Sequence, residues 1–203
     1  EPFEAEESNM SKERLTAFTD AILAIIMTIL VLELERPEAP TFDAIWALRA
    51  DFLAYVVSFF WLGAMWVNIH NQWQAVERVN NKIVWWSIVM LFFSSLIPYV
   101  TDFVGENFHS LFAQLMYSIV VILVSFSNMA LAGAVEKENR ISDRLTYNDT
   151  LVVGLDLGVK ALGILIAVFF YPPAAIIGVM LAGLVVTFGS RFIAKKNENT
   201  LGE

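Results

Sequence analysis

Six apolar runs dominate this sequence, each about the length a helix needs to cross the hydrocarbon core of a membrane and each bounded by charge or by Pro and Gly. They extend from about Leu15 to Leu34, Phe52 to His70, Ile83 to Val100, His109 to Val135, Leu151 to Phe170 and Pro173 to Ala194. Within hydrocarbon a segment must satisfy its own backbone polar groups, so runs of this kind predict helices. The expected fold is an all-α integral membrane protein with six spans. Six such helices consume most of the 203 residues and leave no room for a separate soluble domain. The expected organisation is an acidic tail and a leading arginine over 1–14, one six-helix domain over 15–194, and a second tail over 195–203. Composition agrees, with 57% hydrophobic and only 17% charged residues, where a soluble domain carries about 25% charge.

Lys and Arg fall unevenly between the two sets of connections. Lys12, Arg14, Arg78, Lys82, Lys137, Arg140, Arg144, Arg191, Lys195 and Lys196 share one side, against Arg36 and Arg49 on the other. The positive-inside rule then places both termini in the cytoplasm, in agreement with an even number of spans. The first run follows an acidic stretch and ends in Leu32-Glu33-Leu34-Glu35-Arg36 without a small-residue cleavage site, so it is expected to stay in the mature chain. The net charge of −8 argues against nucleic acid as a partner. Most of that charge is expected outside, where Glu33, Glu35, Glu38, Asp43, Asp51, Asp102 and Glu106 face only the two arginines. Such a rim concentrates cations and repels anions.

Catalysis and resident cofactors are not expected. There are no cysteines and two histidines, too few for a metal centre built on those ligands. No Ser/His/Asp set, H-E-x-x-H or Gly-rich phosphate loop is present. The T-V-G-Y-G filter of tetrameric potassium channels is also absent, and Thr187-Phe188-Gly189-Ser190 reads as the end of the last helix.

The first run carries the unusual chemistry. Asp20 is an acid inside a span, which demands a partner or water; it is a functional candidate, or it pairs with Arg14 near the charged entry. Ala17, Ala21, Ala24 and Thr28 recur at helical spacing as a stripe of small side chains, suited to close helix contact. Ile25, Ile29 and Leu32 form a neighbouring branched stripe, which fits a pore constriction or an ordinary lipid-facing or core surface. Elsewhere, Asp156 and Lys160 stand at i and i+4 and are expected to neutralise one another. Gly154, Gly158, Gly163, Gly178 and Gly183 predict close helix packing in the last two spans. His70 reads as interfacial, and the tryptophans mostly as anchors near span ends. A proton-coupled secondary transporter using Asp20, His70, Asp156 and Lys160 is the alternative to a channel.

Arg14-Leu-Thr-Ala-Phe18-Thr19-Asp20-Ala21, continuing through Ala24-Ile25-Ile26-Met27-Thr28 to Leu32-Glu33-Leu34, resembles the R-x-x-x-F-S-D signature of the lysosomal potassium channel family, transmembrane protein 175, in its bacterial single-repeat form. Trp66-Val67-Asn68-Ile69-His70 and Leu91-Phe-Phe-Ser-Ser-Leu-Ile-Pro98-Tyr99 continue the resemblance, with Thr19 keeping the hydroxyl of the usual serine. The resemblance implies a homotetramer in a bacterial inner membrane, its first helices lining a central potassium pathway. It implies a constriction at Ile25 extended by Ile29 and Leu32, and a selectivity hydroxyl on Thr28. It also implies a polar network of Arg14, Phe18, Thr19, Asp20, Trp66 and His70. The expected partners are the chain itself, the lipid bilayer and permeating monovalent cations, with no metal bound beyond potassium in transit.

Overall fold

The structure, a computed structural model, describes residues 11–74, 76–139 and 150–184. The two tails, Arg140, Arg144, Arg191, Lys195, Lys196, the end of the sixth run and Thr187–Ser190 lie outside the described residues. Helix α1 (Lys12–Leu32) starts at Ser11, whose hydroxyl accepts from the Arg14 N–H at 3.4 Å, and ends with Glu33 as its C-cap. A short α2 (Phe42–Ala47), capped by Thr41, leads into α3 (Arg49–Gln74). Then come α4 (Asn81–Ser94), α5 (Ile97–Glu106), α6 (Leu111–Asn139), α7 (Thr150–Phe169) and α8 (Ala174–Leu184).

Among the described residues, four segments are long and apolar enough to cross a membrane: Lys12–Leu32, Arg49–Gln74, Asn81–Glu106 and Leu111–Asn139. Their 21 to 29 residues correspond to about 30–43 Å of helix. The chain is therefore an all-helical, multi-pass membrane protein, and the four segments match the first four apolar runs. Helix α7 coincides with the fifth run, and α8 covers the described part of the sixth.

The third run differs from its expected limits. It does not end at Val100 but continues helically to Glu106, so Asp102 and Glu106 stand on a helix and not in a loop. Charge at the end of a helix costs little once it clears the hydrocarbon, and apolarity alone does not mark where helical hydrogen bonding stops. The segment is also broken between Ser94 and Ile97. Pro98 brings no N–H and its ring collides with the carbonyl four residues earlier, so the ladder resets. Ser95 repairs the break, its N–H reaching the Leu91 carbonyl at 2.9 Å and its hydroxyl donating to the Phe92 carbonyl at 2.7 Å.

Packing is antiparallel, with α4 mainly on α6 and α3 on α5. At one end, Asn139 of α6 clamps the connection between α3 and α4: its Oδ1 accepts from the N–H groups of Glu77 (2.8 Å) and Arg78 (2.7 Å), and its Nδ2 donates to the Arg78 carbonyl (3.1 Å). Leu23, Ile26 and Leu30 of α1, Leu62 and Ile69 of α3, Met90 of α4 and Val121 and Leu131 of α6 belong to one buried apolar cluster. Several polar groups buried beside this cluster are paired in place. The Ser58 hydroxyl pairs with Thr101 at 2.8 Å and Tyr117 at 3.0 Å, joining α3, α5 and α6. Gln114 donates to the Phe108 carbonyl and accepts the Ile176 N–H, which fixes the start of α8.

The glycines divide. Gly163 and Gly178 bring α7 and α8 into backbone contact; a Cβ on Gly163 would lie 2.9 Å from both the Ala174 carbonyl oxygen and the Gly178 Cα. Gly183 lies beside the Trp61 ring. Gly154 and Gly158, expected to pack closely as well, face open space within this subunit. The physical reason is helical phase, since only the face of α7 that carries Gly163 turns towards α8. Gly163→Val is therefore expected to destabilise the fold by about 1–3 kcal/mol through overpacking, whereas Gly154→Ala is expected to stabilise it by roughly 0.5–1 kcal/mol through reduced backbone entropy. Melting temperatures in detergent, shifting in opposite directions for the two variants, check both.

Candidate functional site

Helix α1 turns one face to its own subunit and leaves the other open. Leu15, Thr19, Leu23, Ile26 and Leu30 are buried. Ala17, Phe18, Ala21, Ala24, Ile25, Thr28 and Leu32 are exposed, Ile25 at 58% and Leu32 at 74%. The small-residue stripe lies wholly on the open face. The branched stripe does not, because Ile29 is half-buried between Ile25 and Leu32.

The Thr28 hydroxyl donates to the Ala24 carbonyl of its own helix at 2.8 Å. That bond uses the single proton of the hydroxyl and leaves its oxygen lone pairs as acceptors on the open face. Thr19 makes the same kind of bond to Leu15 at 2.9 Å, but in the interior.

Asp20 lies about two turns into α1 and is held from α3. The Trp66 indole N–H donates to its carboxylate at 2.8 Å, a charge-assisted contact that satisfies the acid at the helix surface. The Trp66 ring lies against the His70 ring, with centroids 5.5 Å apart, and His70 Nε2 is 3.4 Å from Gln74 Nε2. Asp20, Trp66 and His70 thus form one contact chain between α1 and α3. The others named with them stand differently. Arg14 is exposed, and among the described residues its side chain makes no ion pair; of the two alternatives for Asp20, pairing with Arg14 is not seen, and the acid is met by Trp66. Phe18 is half-exposed and Thr19 faces the core.

Asp156 and Lys160 are not part of this chain. They pair with each other at 2.6 Å across one turn of α7, both buried, as their spacing predicts. Lys160 also donates to Ser125 of α6 at 2.8 Å and lies 5.6 Å from the centre of the Trp61 ring. The four ionisable residues of the transporter alternative therefore fall into two separate sets of contacts. Ser125 and Trp61 were not singled out as partners in the sequence. The signals that mark them are a serine in the fourth apolar run and a tryptophan at the middle of the second, away from the span ends where anchors sit.

An all-helical multi-pass membrane protein with an open, small-residue first helix and a Trp-held acid at its start defines the class. Residues 14–98 match the sequence model of the endosomal/lysosomal potassium channel TMEM175 family. A protein of Chryseobacterium sp. (strain P1-3) named as a potassium channel is 36% identical over 126 residues, 62% of this chain and 66% of the relative. A Streptomyces collinus protein, also named as a potassium channel, is 32% identical over 126 residues, 58% of this chain and 61% of the relative. The chain thus spans about two thirds or less of the length of these relatives. The crystal structure of a lysosomal potassium-selective channel TMEM175 homologue from Chamaesiphon minutus superposes with a TM-score of 0.62 at 22% identity, covering 91% of this chain and 97% of that one, which establishes a shared fold.

The Asp20–Trp66 contact is expected to couple α1 to α3. A hydrogen bond to a charged group contributes about 1.5–3 kcal/mol when buried and less at an exposed site such as this. In a double-mutant cycle on Asp20→Asn and Trp66→Phe, a coupling of about 1 kcal/mol in detergent unfolding is the expected result, and additive effects would show that the bond contributes nothing.

Proposed function

We propose that this chain is the subunit of a homotetrameric, potassium-permeable cation channel, in which copies of α1 surround a central pore. The observation that carries the reading is the open face of α1. Helix contacts in lipid rely on close approach of small residues, and Ala17, Ala21, Ala24 and Thr28 all face away from their own subunit. The potassium channel names carried by the relatives support the same reading.

In such an assembly Ile25 forms a hydrophobic constriction that gates by dewetting, with Ile29 and Leu32 extending it towards the outer end. Thr28, its hydroxyl proton engaged by Ala24, presents oxygen lone pairs that stand in for part of a cation's hydration shell. Selectivity then rests on a ring of side chains. Asp20, Trp66 and His70, with Arg14, Phe18 and Thr19 beside them on α1, hold the inner ends of the pore helices at a fixed angle to α3. Conduction is passive and downhill. The subunit spans a bacterial inner membrane six times with both termini cytoplasmic. Glu33, Glu35, Asp51, Asp102 and Glu106 then form an acidic outer rim, multiplied by the symmetry, that draws cations to the entrance.

The decisive experiment is flux from potassium-loaded liposomes containing the purified chain. Potassium efflux down its gradient is expected; no flux, or uphill uptake of a solute coupled to protons, would overturn the channel reading. Ile25→Asn is expected to raise single-channel conductance by wetting the constriction, and unchanged currents would move the constriction elsewhere. Thr28→Ala is expected to lower the potassium-over-sodium permeability ratio by roughly twofold to tenfold, the equivalent of one hydrogen bond of about 0.5–1.5 kcal/mol, while conduction survives. Reversal potentials in mixed potassium and sodium solutions check this.

A further inference from the structure

A small chamber lies between α3, α6, α7 and α8, with no α1 residue in its lining. Asn68, Ser125, Asn128, Asp156 and Lys160 contribute its polar wall. Asn128 is fully buried, yet neither its Oδ1 nor its Nδ2 has a hydrogen-bond partner. An amide with both ends unpaired in a membrane interior is among the least favourable arrangements a folded chain can hold, so this one calls for an occupant. The neighbours have capacity to spare. Lys160 uses two of its three N–H donors, on Asp156 and Ser125, and only one Asp156 oxygen is engaged by Lys160.

The size of the chamber selects the occupant. It leaves about 20 Å³ for the centre of a water-sized molecule, and one water needs roughly 10–15 Å³ measured in this way. Charge selects further. Asp156 and Lys160 already cancel, so a cation here would face the Lys160 ammonium and an anion the Asp156 carboxylate, each stripped of water without a counter-charge. A neutral molecule that both donates and accepts meets neither obstacle.

We propose that the chamber is a binding site for one water molecule, which joins the Asn128 amide of α6 to the Asp156–Lys160 pair of α7. The hairpin of α7 and α8 is then tied to the rest of the subunit by a hydrated polar joint. Helix association in lipid gains little from hydrophobic burial, which gives such a joint its value. The site lies apart from the cation route assigned to α1.

The test is a high-resolution structure of the full chain in lipid nanodiscs, with a parallel crystal data set collected in thallium. A peak about 2.6–3.2 Å from Asn128 Oδ1 or Nδ2, without anomalous signal, is the expected result. An empty chamber, or a peak carrying thallium signal, would overturn the proposal, the latter in favour of an ion. In Asn128→Leu the peak should be lost; a peak that persists at the same position would show that Asn128 does not hold the water.

Discussion

A bilayer offers no solvent to an unpaired polar group, and much of this architecture follows from how each such group is satisfied. Hydroxyls within the helices turn back to carbonyls one turn earlier, as Ser87 does to Ile83, Ser94 to Met90 and Ser118 to Gln114. Several groups that are not satisfied within their own helix form bonds between helices. Ser58, Thr101 and Tyr117 join three of them, Gln114 reaches α8, and Trp66 reaches Asp20. The polar residues of this chain thus do the work that solvent exclusion does in a soluble core.

The same rule separates the two faces of α1. Its inner face is settled by Leu15, Leu23, Ile26 and Leu30 against the other helices. Its outer face combines small residues, a hydroxyl with free lone pairs and the exposed aliphatics Ile25, Val31 and Leu32. Lipid alone would accept such a surface, but the alanines would leave poor contacts there. Copies of the same helix would fill them, as the proposed assembly requires.

Much of this was legible in the sequence because hydrocarbon thickness imposes a length that few other environments demand. The first four runs emerge as membrane-length helices, and Asp156 and Lys160 pair as their spacing requires. The Asp20–Trp66 bond was legible only through the family signature, since 46 residues separate its partners. The continuation to Glu106 was hidden because acidic residues read as loop when the criterion is apolarity. The chamber around Asn128 was hidden for a different reason. It depends on four helices meeting at one level, and no periodicity within a single run encodes the height of its neighbours.

The joining of α7 and α8 bears on the order in which the chain assembles. Gly163 and Gly178 meet across a turn of a few residues, so their contact closes a short loop and can form as soon as both segments have entered the membrane. The bond from Gln114 to the Ile176 N–H spans 62 residues and closes a far longer one. The last two helices are therefore suited to insert as a preformed hairpin, which then docks as a unit on α6. A lesion at Gly163 would then act on the hairpin itself, before it docks on the other helices.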